Sequence, residues 1–126
     1  IFYHNYGDSA DFVVIKMRYA RIWSMPKGKK DPDDIDLMTT AYREFKEETG
    51  LDLEDCLNDD LPSKNICKTC FYLLESDVRN RYFNGYNTKE IDAVKWVSVK
   101  SVISSPDNYS KQVQLTARYL QDFLHI

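Results

Sequence analysis

The order of hydrophobic and polar positions predicts a succession of short elements. Ile1–Tyr3 has the pattern of a strand end, and Tyr6–Ala10, with Gly7 and Asp8, that of a polar turn. Asp11–Ala20 (DFVVIKMRYA) opens on β-branched residues and then alternates, as a strand does. Trp23–Asp34 is punctuated by Pro26, Gly28 and Pro32 and predicts a loop. Asp36–Thr49 predicts a helix, with Asp36 as N-cap and Gly50 in the left-handed position after its end. Leu51–Lys64 is a long acidic loop and Asn65–Ser76 a strand. Asp77–Lys89 is a turn or loop in which Asn84-Gly85 has the residues of a hairpin tip. Ile91–Val99 predicts another strand and Ser101–Ser105 a short helical turn closed by Pro106. In the last helix, Tyr109–Leu124, Val113, Leu115, Tyr119, Leu120, Phe123 and Leu124 approximate one stripe. Strand, helix, strands and helix in this order predict an α/β sandwich around a mixed sheet.

Composition narrows this picture. A chain of 126 residues is one domain in length and buries enough surface to do without a disulfide scaffold. Because it opens at Ile1 rather than Met, upstream sequence is expected to be missing. Seventeen Lys and Arg against twenty Asp and Glu leave a net charge of −3, which excludes a uniformly basic nucleic-acid coat. No apolar run approaches the ~20 residues needed to span a bilayer. Cys56, Cys67 and Cys70 are odd in number and widely spaced, which fits reduced thiols in the cytoplasm. Cys67 and Cys70 have the spacing of half a zinc site, whose other ligands would have to include His4 or His125. Buried thiols on a strand are the favoured expectation.

The stretch that bears on chemistry is Arg43–Leu51 (REFKEETGL). On a helix Glu44, Glu47 and Glu48 stand at i, i+3 and i+4 and share one face. Met38, Ala41, Tyr42 and Phe45 supply the apolar face. Three carboxylates this close repel one another. A hard divalent cation such as Mg²⁺ offsets that cost and clamps phosphate oxygens. The alternative is a solvated glutamate-rich surface mixed with Arg43 and Lys46.

The flanking residues decide between these readings. Together with Trp23-Ser24-Met25-Pro26-Lys27-Gly28-Lys29, the stretch resembles the signature of Nudix hydrolases, G-x5-E-x7-R-E-U-x-E-E-x-G-U, where U is aliphatic or aromatic. The second half matches at every defined position, with Phe45 and Leu51 as U. The likeness runs from Asp11 to the final helix. It implies a Nudix α/β/α sandwich and hydrolysis of a diphosphate linkage with Mg²⁺ or Mn²⁺. The first half departs from the pattern. Gly28 stands fifteen residues before Arg43 instead of fourteen, and the position eight before Arg43 is Ile35, which cannot act as a carboxylate. Asp34 or Asp36 could substitute from a shifted loop.

The resemblance implies roles for named residues. Glu47 and Glu48 would be the principal metal ligands, Glu44 would complete the cluster, and the backbone carbonyl of Gly28 would join it. Arg43 would orient the carboxylates through a fork of hydrogen bonds. Glu90, six residues before Trp96, is a candidate ligand or general base, or else a surface residue at a strand start. Lys27 and Lys29 are candidates to bind substrate phosphates. Tyr82, Phe83 and Tyr86 are candidates to stack on a base, or else pack the loop.

The motif does not name the substrate. Pro26-Lys27-Gly28-Lys29 and the Lys89-Glu90-Ile91 strand start resemble mRNA-decapping Nudix enzymes, which implies capped RNA as partner. Pro-Lys-Gly also occurs in dinucleoside-tetraphosphate hydrolases, so small nucleoside or inositol diphosphates are the alternative. Tyr109–Ile126 carries only Lys111 and Arg118, little for an RNA surface, though Lys27, Lys29, Lys30, Lys64 and Lys68 could form a patch. A Nudix-fold binding module without catalysis is a third possibility, which Ile35 keeps open.

Overall fold

The computed structural model describes residues 1–77 and 83–126. A four-stranded mixed sheet positions everything else. Strand β1 (Phe2–Asn5) pairs antiparallel with β2 (Ala10–Met17), Tyr3 opposite Phe12. On its other side it pairs parallel with the two-residue β5 (Leu74–Glu75). β2 pairs antiparallel with β6 (Ile91–Ser98), with an irregularity at Lys16/Met17, so the order is β5-β1-β2-β6.

The central strand β2 is buried on both faces, and its two-residue period sorts its side chains. Phe12 and Val14 face a core with Val97, Val102, Val113, Ala117 and Leu120. This core packs the sheet against α2 (Val99–Ser104) and α3 (Lys111–Leu124). Val13 and Ile15, also fully buried, lie on the opposite face with Phe2. There Phe2 meets Phe45 of α1 (Leu37–Thr49) edge-on at 5.9 Å. The expected α/β sandwich with a mixed sheet therefore forms. No helix among the described residues is long and apolar enough to cross a membrane.

The helix ends agree with their capping chemistry. Asp36 accepts from Thr39 N–H at 2.8 Å, and Gly50 adopts φ 81°. Helix α3 starts at Lys111 instead of Tyr109 because Tyr109 is extended and bridges to Trp23, which leaves Ser110 as the cap. Helix α2 starts at Val99, earlier than expected, because Ser98 caps it.

Three expectations are overturned here. Asn65–Ser76 is not one strand. The chain forms β3 (Ser63–Ile66), reverses at Cys67-Lys68, returns as β4 (Thr69–Tyr72) and then enters β5. Both turn residues have positive φ, 51° and 66°, as a two-residue hairpin demands. Neither is Gly or Asn, so the usual sequence signal is missing. Second, the thiols are not buried: Cys56 and Cys67 are exposed, Cys67 because it sits on that turn, and Cys70 is half-buried. Among the described residues the Asn84-Gly85 pair joins no paired strands either, since β5 and β6 are the two outer strands of the sheet.

Candidate catalytic site

The site is assembled where α1 meets two loops. The first loop, Pro26–Lys30, crosses the glutamate face of α1. Lys27 N–H donates to Glu48 Oε1 at 2.8 Å. Gly28 lies against the Glu44 carboxyl so closely that any side chain at 28 would overlap it. The second loop ends at Glu90 and is tied to the C-terminal end of α1, where Asn87 N–H donates to the Glu47 carbonyl at 2.8 Å. It is tied to β2 as well, through Arg18 N–H to the Glu90 carbonyl at 2.7 Å. Gly50 makes this junction possible, because a Cβ there would run into the Asn84 carbonyl.

Four carboxylates are thereby gathered. Glu48 is only 7% exposed. Burial, with the charges of Glu44, Glu90 and Glu47 nearby, pushes its carboxyl up to about 7 in spite of the Lys27 hydrogen bond. Burial also raises Glu44, against the pull of Arg43. The spacing therefore identified a shared face correctly, and the fold adds Glu90 from a distant loop.

Arg43 organises the charges. Its Nε and one terminal nitrogen donate to the two oxygens of Asp34 at 3.1 and 2.9 Å, a bidentate fork. Its other terminal nitrogen donates to Glu44 at 2.8 Å and to Glu47 at 3.4 Å. A further N–H reaches the Lys29 carbonyl at 3.1 Å. The bidentate fork thus goes to Asp34, while the other terminal nitrogen takes the glutamates. Hydrogen bonds from Arg43, Asp31 N–H and Thr40 hold the Asp34 carboxyl far below the usual carboxylate range. Asp36 is occupied with capping, and Ile35 is 90% exposed.

Among the described residues, no three His, Cys, Asp or Glu side chains converge as a ready-made ion cage. Neither histidine that a zinc site at Cys67 and Cys70 would need lies on their β3–β4 hairpin. His4 is engaged with the Ser76 carbonyl and His125 ends α3. The glutamates remain an all-oxygen, mutually repelling donor set, the chemistry that suits a hard divalent cation.

A cavity of 790 Å³ opens on the other side of the Pro26–Lys30 loop. Lys27, Lys29 and Lys30 line one wall and Lys68, on the hairpin turn, lines another. Phe45, Phe71 and Tyr72 form apolar surface between them. None of these four lysines makes an ion pair with a described residue. Lys64 is elsewhere, its ammonium 5.5 Å from the Tyr119 ring centroid. Phe83 packs against Trp96 at 6.3 Å, so its ring serves loop packing, and Tyr82 lies outside the described residues. The hairpin wall was illegible in the sequence because the turn at Cys67-Lys68 has no turn residues to announce it.

The Nudix domain family model matches residues 6–119. The chain belongs to the Nudix family. No curated protein matches the sequence. Among solved structures, an Ap4A hydrolase of Caenorhabditis elegans in a binary complex is similar, at 21% identity and a TM-score of 0.65, covering 99% of this chain and 93% of its own. A second structure of a C. elegans Ap4A hydrolase gives 19% identity and 0.60, covering 98% and 93%. A Deinococcus radiodurans protein gives 16% and 0.59, covering 94% and 81%. At these identities the similarity concerns the fold. As a member of that family, the chain is a hydrolase of the diphosphate-cleaving type.

Proposed function

We propose that this Nudix protein hydrolyses small nucleoside polyphosphates, with dinucleoside tetraphosphates such as Ap4A as the leading class. The observation that carries this reading is the lysine-walled cavity, which shares the Pro26–Lys30 loop with the glutamates. Its 790 Å³ suits a ligand of nucleotide size, within the ~300–1,000 Å³ usual for small-molecule sites. Its ammonium groups, without ion pairs among the described residues, suit phosphates, and its aromatic walls suit a base. The fold shared with Ap4A hydrolases supports the same reading. Capped RNA, favoured by the Pro26-Lys27-Gly28-Lys29 motif, needs a basic track for the RNA body, and α3 offers only Lys111 and Arg118.

In this reading Glu44, Glu47 and Glu48 would hold Mg²⁺ or Mn²⁺, with the Gly28 carbonyl as a further donor. The cation supplies neutralisation of phosphate charge and acidification of water when bound. A water oxygen attacks one phosphorus of the diphosphate, and the bridging P–O bond breaks, releasing the other phosphate as leaving group. Glu90, solvent-facing and close to Glu48, accepts the proton of the attacking water. Lys27 and Lys29 hold the substrate's phosphates.

The test incubates the protein and its Glu47→Gln variant with Mg²⁺ or Mn²⁺ and three substrates: a dinucleoside tetraphosphate, a diphosphoinositol phosphate and cap-labelled RNA. Cleavage of the dinucleoside tetraphosphate by wild type alone is expected. Release of 7-methyl-GDP from capped RNA alone would establish decapping instead. Tight binding of nucleotide without turnover would make the chain a binding module.

A further inference from the structure

We infer that Asn65 reads the base in the lysine-walled cavity and selects adenine over guanine. The inference rests on the reading that this cavity holds one nucleotide of the substrate. Asn65 of β3 stands directly opposite Cys70 of β4, with Ser63 opposite Tyr72, Lys64 opposite Phe71 and Ile66 opposite Thr69. Opposed residues of a hairpin share a face, and the face alternates along each strand. Ile66 and Phe71 belong to the core, which fixes one face as the inner one. Asn65, Cys70 and Tyr72 therefore share the outer face, and all three line the cavity. Leu37, Ala41 and Phe45 of α1 line it as well, so that Tyr72 and the helix offer apolar surface to the flat faces of a base.

The inventory of donors and acceptors decides which base fits. The Asn65 amide is exposed and makes no hydrogen bond with a described residue. It carries an acceptor oxygen and a donor NH2 side by side. Adenine presents the complement, its N6 amino group beside a ring-nitrogen acceptor, and both bonds form at once. Guanine sets an N2 amino group next to N1–H, so that this edge needs two acceptors. Asn65 Oδ1 supplies one. Among the described residues no Asp or Glu lines the cavity, and its charged groups, Lys27, Lys29, Lys30 and Lys68, only donate. The Thr40 hydroxyl is turned to Asp34 at 2.9 Å, and Thr69 lies on the inner face of the hairpin with Ile66. Guanine in this cavity therefore leaves an N–H without a side-chain acceptor, and an unmet donor is what a hydrogen-bonding site discriminates against.

The binding arm of the test needs no turnover. In ¹⁵N-labelled protein with Mg²⁺, the Asn65 side-chain NH2 resonances, assigned by their loss in Asn65→Asp, are followed as AMP or GMP is added. Neither probe has a diphosphate to cleave, and both carry the same phosphate, so a difference between them reports the base. AMP is expected to shift these resonances and to bind roughly threefold to tenfold more tightly than GMP, the worth of one hydrogen bond. Asn65→Ala should bring the two affinities together by weakening AMP. Asn65→Asp, whose carboxylate offers two acceptors to N1–H and the N2 amino group, should reverse the order. Lys68→Gln should weaken both probes alike, because it meets phosphate. In the kinetic arm, diadenosine and diguanosine tetraphosphates should show the same order in kcat/KM, with KM carrying the difference. Equal affinities in wild type, no binding of either probe, or an unchanged order in Asn65→Asp would overturn the inference. Should AMP bind as expected while no dinucleoside tetraphosphate is cleaved, the proposed reaction fails and the role of Asn65 stands.

Discussion

Gly28 and Glu44 are in such close contact that only a hydrogen atom fits between the Gly28 backbone and the Glu44 carboxyl. The neighbour is the movable end of a side chain and not backbone. Gly28→Ala should therefore displace the carboxylate without unfolding the loop. We expect diphosphate hydrolysis to fall about tenfold or more, with the melting temperature nearly unchanged. Steady-state kinetics beside a thermal melt checks both halves.

Arg43→Lys should behave as a severe substitution. A lysine ammonium has no planar fork to engage both Asp34 oxygens while reaching Glu44, Glu47 and the Lys29 carbonyl. A fall in kcat of about tenfold or more is expected, together with a higher Mg²⁺ requirement, measured by metal titration of the rate.

The Glu48 carboxyl dictates a pH dependence of stability. Its folded value of about 7 lies above the ordinary 4.5, so the folded metal-free protein holds a proton that the unfolded chain releases. Its contribution is fully present below 4.5 and is lost as pH rises through about 7. Denaturation of metal-free protein should show stability falling across that window, and Glu48→Gln should flatten the slope. Because protons compete with the cation, Mg²⁺ should raise the melting temperature more near about pH 8 than near about pH 5.

Gly50→Ala should damage the fold. Gly50 has φ 81°, and a Cβ there meets the backbone carbonyl of Asn84, which cannot step aside as a side chain can. The left-handed conformation alone costs about 1–2 kcal/mol for an L-residue. We expect at least that loss in a urea titration, and a drop in activity, because the loop bearing Glu90 docks on this end of α1.

Lys68→Gln tests the cavity. The residue lies on the hairpin turn, apart from the glutamates, and lines the cavity as an exposed cation with no ion pair among the described residues. For a dinucleoside tetraphosphate we expect KM to rise several-fold with kcat unchanged, an effect that added salt should diminish.

Much of this was legible in the sequence. The alternation in Asp11–Ala20 and Ile91–Val99 corresponds to β2 and β6, and the caps Asp36 and Gly50 bound α1 as their chemistry requires. The spacing of Glu44, Glu47 and Glu48 placed them on one helical face. The hairpin at Cys67-Lys68 was not legible, because its left-handed turn is held by pairing of β3 with β4 rather than by residues that prefer it. The exposure of Cys67 follows from that unannounced turn.

The sequence by itself determined the family, the helix that carries the glutamates and the arginine that serves them, because these rest on local spacing along one helix. Only the tertiary structure decided which aspartate holds Arg43, that Glu90 joins the cluster, and that Lys27 and Lys68 face one cavity. Those are relations between segments far apart in the chain or across an irregular loop. Counting residues cannot resolve them, since one inserted residue shifts the count while hydrogen bonding and burial restore the contact.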